Sequence, residues 1–140
     1  MTISVALTDD LDSCFALRRT VFIDEQGVSE AEEMDGRDGD AHHLLATLDG
    51  KPVGCARILF KGETGKIGRV CVLKQGRGKG IGAALVQACV DHIAKLPGMT
   101  RAELGAQTRA IGFYEGLGFT AYGPEYDDAG IPHRDMERAL

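Results

Sequence analysis

At 140 residues the chain has the length of one domain, and 16 Lys and Arg against 21 Asp and Glu give a formal net charge of -5. That balance speaks against nonspecific attachment to nucleic acid or anionic membranes. Cysteines at 14, 55, 71 and 89 form no C-x-x-C pair and no metal-type cluster, so free thiols, a thiol-reducing compartment and no bound metal are expected. The first ten residues lack a basic start and an apolar stretch of leader length, and no apolar run approaches the roughly 18 residues of a membrane span. A soluble, cytoplasmic protein is the expectation.

Thr2 to Leu7 alternates and is rich in β-branched residues, which predicts a strand. Thr8, Asp9 and Asp10 then offer helix caps ahead of Leu11, Phe15, Leu17, Val21 and Phe22. Residues 24–41 are polar and carry eight carboxylates against Arg37 alone, so they read as a long solvated loop. Strands are predicted over 44–48, 53–60 and 66–73. Asp49-Gly50-Lys51-Pro52 and Lys61-Gly62-Glu63-Thr64-Gly65 join them as hairpins into an antiparallel meander. Gly82 to Leu96 has the apolar spacing of an amphipathic helix closed by Pro97-Gly98. A short strand over 100–106 and a helix over 108–117 come next, and 119–140 reads as two short strands joined by a loop.

The most informative run is Arg77-Gly78-Lys79-Gly80-Ile81-Gly82-Ala83, between a predicted strand and a predicted helix. Glycine lets backbone approach a bulky anion, and the first amides of a helix lack intrahelical acceptors, so the run is a phosphate cradle. No acidic residue lies between Thr64 and Val90, whereas Lys66, Arg69, Lys74, Arg77 and Lys79 add positive charge. A P-loop requires Ser or Thr after Gly-Lys, and Gly80 stands there. A dinucleotide fingerprint on Gly78, Gly80 and Ala83, with Glu103 as ribose acid, has the wrong context because four predicted strands precede it. The remaining pattern, Arg/Gln-x-x-Gly-x-Gly/Ala, is met by Arg77, Gly80 and Gly82.

That third pattern, with Arg69-Val70-Cys71-Val72-Leu73 before it and the block from Gln107 through Tyr114 and Gly118 to Phe119 after it, resembles the GNAT superfamily of N-acetyltransferases. Val21-Phe22-Ile23-Asp24-Glu25-Gln26-Gly27-Val28 and Gly130-Ile131-Pro132-His133 are similar to a bacterial subgroup of uncharacterised members and extend the likeness to nearly the full length. The resemblance implies a single α/β domain of the GNAT fold over 1–140, a mixed and mostly antiparallel sheet of six or seven strands flanked by helices. It implies acetyl-coenzyme A (acetyl-CoA) as cosubstrate, held by Val70, Cys71 and Val72 on the strand edge, by Arg77, Gly78, Lys79, Gly80, Ile81, Gly82 and Ala83 around the pyrophosphate, and by Gln107. Many members carry Asn where Gln107 stands. It also allows a homodimer.

Acyl transfer to an amine needs a base, an oxyanion site and a proton for the departing thiolate. The resemblance puts the thioester carbonyl at backbone amides near Val72 and the proton on Tyr114. Glu25, His42, His43, Glu103 and His133 are all chemically able to act as base, and the subgroup likeness favours Glu25 and His133. Cys71 should lie on the strand face opposite Val70 and Val72, a buried thiol and not a nucleophile. Asp38-Gly39-Asp40 fails a calcium-loop test because the sixth loop position is His43. The acidic loop is expected to attract a cationic amine, with a small molecule or peptide as acceptor. The rival readings are a noncatalytic acyl-CoA sensor and a nucleotide-dependent oxidoreductase.

Overall fold

The computed structural model describes residues 1–140. Its core is one seven-stranded sheet in the order β1-β2-β3-β4-β5-β7-β6, with β1 Ile3–Thr8, β2 His42–Leu48, β3 Lys51–Lys61, β4 Thr64–Val72, β5 Arg101–Gln107, β6 Thr120–Asp128 and β7 Ile131–Ala139. Every neighbouring pair is antiparallel except β4 and β5, which run parallel. That exception follows from connectivity, since α3 (Ile81–Ala94) crosses between them.

α1 (Leu11–Arg18) starts where the caps predict, with the Asp10 carboxylate accepting the Ser13 amide at 3.1 Å. It continues as π-helical turns over Arg19–Glu25. The segment expected to be a structureless loop holds a one-turn helix, α2 (Glu30–Glu33), capped by Ser29, and a 3-10 turn at Asp38–Asp40. Composition hid both, because their apolar content is too low to show a period. The helix expected over 108–117 is shorter, a 3-10 turn at Thr108–Ala110 followed by α4 (Ile111–Glu115). The two short C-terminal strands are nine residues each, joined by the two-residue turn Ala129-Gly130, both at positive φ. Ala129 occupies a left-handed site that sequence rules reserve for Asn, Asp or Gly, so the tight turn between the two expected strands carries no turn signature at that position.

α3 packs one face of the sheet. Ile81, Leu85, Val86, Cys89, Val90 and Ile93 are buried against Leu44, Ala46, Ile58, Ile67, Leu104 and Met136 in a 17-residue core. Each such side chain stabilises the fold by roughly 1.5–3 kcal/mol relative to exposure. The other face is covered by α1, where Cys14, Leu17, Val21, Cys55 and Cys71 form a smaller cluster. This second cluster covers only the β3 and β4 side, so the face toward β5 and β7 stays open.

Candidate active site

β4 and β5 pair over four residues, from Thr64 opposite Arg101 to Ile67 opposite Leu104, and then separate. β4 runs on to Val72 and β5 to Gln107 without touching. The departure begins at a β-bulge: Cys55 faces Cys71 and Arg57 faces Gly68, so Arg69 and Val70 together oppose Ala56. Arg69 takes φ 51, a conformation costing a non-glycine residue about 1–2 kcal/mol. It is held there by its own guanidinium, which donates to the Glu33 carbonyl at 3.1 Å and to Asp35 at 3.3 Å. The bulge also sets which amides are free. Leu73 donates to Val53 at 2.8 Å, so by strand alternation Cys71 turns toward β3 while Val70 and Val72 turn to the open side. The Val72 carbonyl on that side receives Arg77 Nε at 2.9 Å. Between the strands lies a cleft of about 570 Å³, bordered by Gly68, Arg69 and Val70 on one strand and Leu104, Gly105 and Gln107 on the other.

Beyond β4 the glycine run opens α3. None of the amides from Gly78 to Ala83 donates to a protein acceptor, and the first that does is Ala84, to the Gly80 carbonyl at 3.0 Å. Gly78 and Gly80 sit at φ 75 and 80, where a side chain would strain the turn. Consecutive unpartnered amides at the N-terminus of a 14-residue helix suit a pyrophosphate. Arg77 contributes less directly than its motif suggests, since its guanidinium is bound between the Val72 carbonyl and Glu25 at 2.5 Å. Lys79 folds back onto the Gln75 carbonyl at 3.2 Å. Gln107, at the end of β5, donates to Gln26 and accepts from Arg109, each at 3.0 Å.

Tyr114 and His133 line the same cleft. The Tyr114 ring packs edge-on against Phe113 and Phe119, and burial, with neighbouring Cys89 second, pushes its phenol up to about 12. Cys89 itself is pushed up to about 12 by burial, so the desolvation that holds the phenol proton also raises a thiolate nearby. His133 on β7 stacks on Tyr126, and its Nδ1 lies 2.7 Å from the Ile131 carbonyl. A carbonyl only accepts, so Nδ1 carries the proton and Nε2 of the neutral ring is a free acceptor. Tyr126 is fixed by donating to Asp135 at 2.8 Å, and the absent side chain at Gly105 leaves room for its hydroxyl, which a Cβ there would meet at 2.4 Å. Glu25 does not border this cleft. It lies beside a smaller hollow of about 370 Å³ shared with Gln107, Arg109 and Pro132. His42 pairs with His92 at 2.8 Å, His43 is buried on the Asp38 carbonyl at 2.9 Å, and Glu103, opposite Lys66 on the neighbouring strand, accepts from Arg101 at 2.6 Å; none of the three lines the cleft.

Part of the acidic segment is buried and ion-paired, while Asp24, Glu32 and Asp40 stay exposed and outside any ion pair. Arg18, 1% exposed, donates to Glu33 and to Asp38 at 2.6 Å, and these acids are 3% and 8% exposed. Arg57, also buried, holds Asp35 with two hydrogen bonds and reaches Asp38 at 3.2 Å. The Arg57 guanidinium keeps the Asp35 carboxyl well below the usual carboxylate range. Buried charges demand partners, and here the acids of residues 33–38 are spent on arginines from α1, β3 and β4. Sequence reasoning missed Arg18 and Arg57 because partners 15 to 22 residues away leave no local pattern. Gly68 and Gly105 did carry a signal, since a glycine inside a strand marks a bulge or a close approach.

The family model described as acetyltransferase (GNAT) domain matches residues 14–140. The chain belongs to the GNAT acetyltransferase family. It is similar to the Bacillus subtilis uncharacterized N-acetyltransferase YjcF, 36% identical over 129 residues covering 91% of each chain. The crystal structure of an acyl-CoA N-acyltransferase from Pseudomonas aeruginosa superposes with a TM-score of 0.86 at 30% identity, covering 99% of this chain and 100% of that one. A Bacillus subtilis acetyltransferase solved with CoA has the same fold, TM-score 0.75 at 18% identity over 99% of each chain. As a GNAT acetyltransferase, the chain is an acyltransferase of mixed α/β fold. No group of three or more His, Cys, Asp and Glu is arranged to hold a metal ion, and no helix is long and apolar enough to cross a membrane.

Proposed function

We propose that this GNAT chain transfers acetyl from acetyl-CoA to a primary amine by direct attack. The observation that carries the reading is the convergence of three groups on one cleft: Val70 on the β4 edge that leaves β5, Tyr114, and His133 with its unpartnered Nε2. The donor's pyrophosphate meets the Gly78 to Ala83 amides and its pantetheine arm pairs with the β4 edge from Val70 to Val72, with Gln107 closing the far side. CoA in the B. subtilis neighbour supports this assignment. The amine nitrogen attacks the thioester carbon as His133 Nε2 takes its proton, and the carbonyl electron pair moves onto oxygen at the Val70 and Val72 amides. Collapse forms the amide, breaks the C–S bond and releases thiolate, which takes the Tyr114 proton before solvent restores the phenol. Glu25 serves the loop through Arg77 and is not needed as base. The acceptor is a small molecule or a peptide terminus.

Free-thiol release from acetyl-CoA over an amine panel tests the reading, with His133→Gln beside the wild type. Turnover that falls at least tenfold in that variant with CoA affinity unchanged supports His133 as base. Full activity removes it. CoA binding without thiol release for any amine would favour the acyl-CoA sensor.

A further inference from the structure

The charge inside the cleft opposes the charge of the chain. The whole protein carries -5, yet the cleft is lined by five basic side chains, Arg37, Arg57, Lys66, Arg69 and Arg109, against four acidic ones. Of the acids, Glu33 is taken by Arg18, Asp35 by Arg57 and Arg69, and Glu32 accepts from the Ser29 hydroxyl. Glu32 and Asp128 enter no ion pair. The bases are less fully used. Arg37 and Lys66 enter no ion pair and no side-chain hydrogen bond, and the buried Nε of Arg57 lacks a hydrogen-bond partner, while that of Arg69 faces Glu33 at 3.4 Å. Arg57 is 5% exposed, so its leftover donor sits in a wall that water does not reach.

Lys66 cannot serve the donor's pyrophosphate. It lies near the start of β4, six residues and roughly 20 Å of strand before Val72, beyond which the glycine run begins. Between Lys66 and the bulge is Gly68, where a Cβ would meet nothing within 4 Å, so the floor there is open space. A molecule lying on that floor would have one end at the Val70 amides and the other at Lys66. Nearby cations also disfavour an ammonium, which keeps an attacking amine neutral.

Resting on the transfer reading above, the geometry points to an acceptor that is a small primary amine carrying an anionic group, carboxylate or phosphate. Lys66 and Arg37 receive the anion, and Gly68 provides the room. This replaces the cationic acceptor that composition suggests. The test compares thiol release with four amines of matched length: an ω-amino carboxylate, an aminoalkyl phosphate, an uncharged alkylamine and a diamine. The kcat/KM of at least one anionic amine should exceed that of the alkylamine about tenfold or more and that of the diamine further still. Which anion wins distinguishes carboxylate from phosphate. Lys66→Glu should reverse the order in favour of the diamine, and Gly68→Leu should raise KM for every amine while leaving CoA affinity within about twofold. A wild-type preference for the diamine, or an order unchanged by Lys66→Glu, overturns the inference. Binding of the same amines to the CoA complex, read by thermal shift, separates the two readings. A shift for anionic amines without turnover removes the transfer chemistry and keeps the anion site, and no shift without turnover removes both.

Discussion

The two ends of the proposed site are built from different materials. At the end proposed for the donor, what is offered is backbone: unpartnered amides from Gly78 to Ala83 and the β4 edge at Val70 and Val72. At the other end, long side chains from α1, β3, β4 and the 24–41 segment meet in a buried ion network. A backbone site tolerates exchange of side chains but not loss of glycine, whereas a charge network tolerates neither loss nor reversal of any one member. The difference teaches where each end is vulnerable, and substitutions can break it.

The largest effect is expected at the network. Arg18→Met leaves Glu33 and Asp38 buried without their main cation, and breaking such a pair costs about 3–5 kcal/mol. An unfolding free energy from urea titration that falls by less than about 1 kcal/mol would mean the network is replaceable. Between the two ends, Tyr114→Phe should lower kcat about 10²-fold or more with donor KM little changed, since only the hydroxyl is removed. The same phenol has a signature in stability. Its folded pKa of about 12 lies above the unfolded value near 10, so stability present below pH 10 declines as pH rises toward 12, and Tyr114→Phe should flatten that limb.

Smaller effects sharpen the comparison. Gly80→Ala puts a side chain at φ 80, which should cost about 1–2 kcal/mol and raise the acetyl-CoA KM several-fold without moving the acceptor KM. Equal movement of both constants would show that the ends are not separate. Last, the Asp35 carboxyl is depressed by Arg57, so its contribution is present above the unfolded value near 3.9 and is lost as pH falls below it. Asp35→Asn should reduce the acid sensitivity of the folded state, read by circular-dichroism-monitored unfolding as pH is lowered from about 5 to about 2.

What sequence made legible follows the same division. The meander β2 to β4, helix α3 and the anion loop were visible because each depends on local rules: two-residue periods, Asp-Gly turns, apolar spacing and glycine before a helix. Tyr114 was visible through a motif. The buried ion network was not, because Arg18, Arg57 and Arg69 find their partners through the fold, and Glu33, Asp35 and Asp38 look like any other loop carboxylates until the arginines arrive. Arg77 and Glu25 were each named, but for other duties, and only coordinates could reveal that they bind each other.

The buried cysteines carry one more consequence. Cys14, Cys55, Cys71 and Cys89 are at most 4% exposed, and Cys55 Sγ lies 3.5 Å from Cys71 Sγ in a sealed pair. Native protein should therefore be silent toward thiol-specific dyes and leave no background while released coenzyme is being counted. Once the sheet opens, four labels enter each chain. The protein thus holds its own alkylation clock, whose rate at a chosen temperature reports how often the whole fold comes apart.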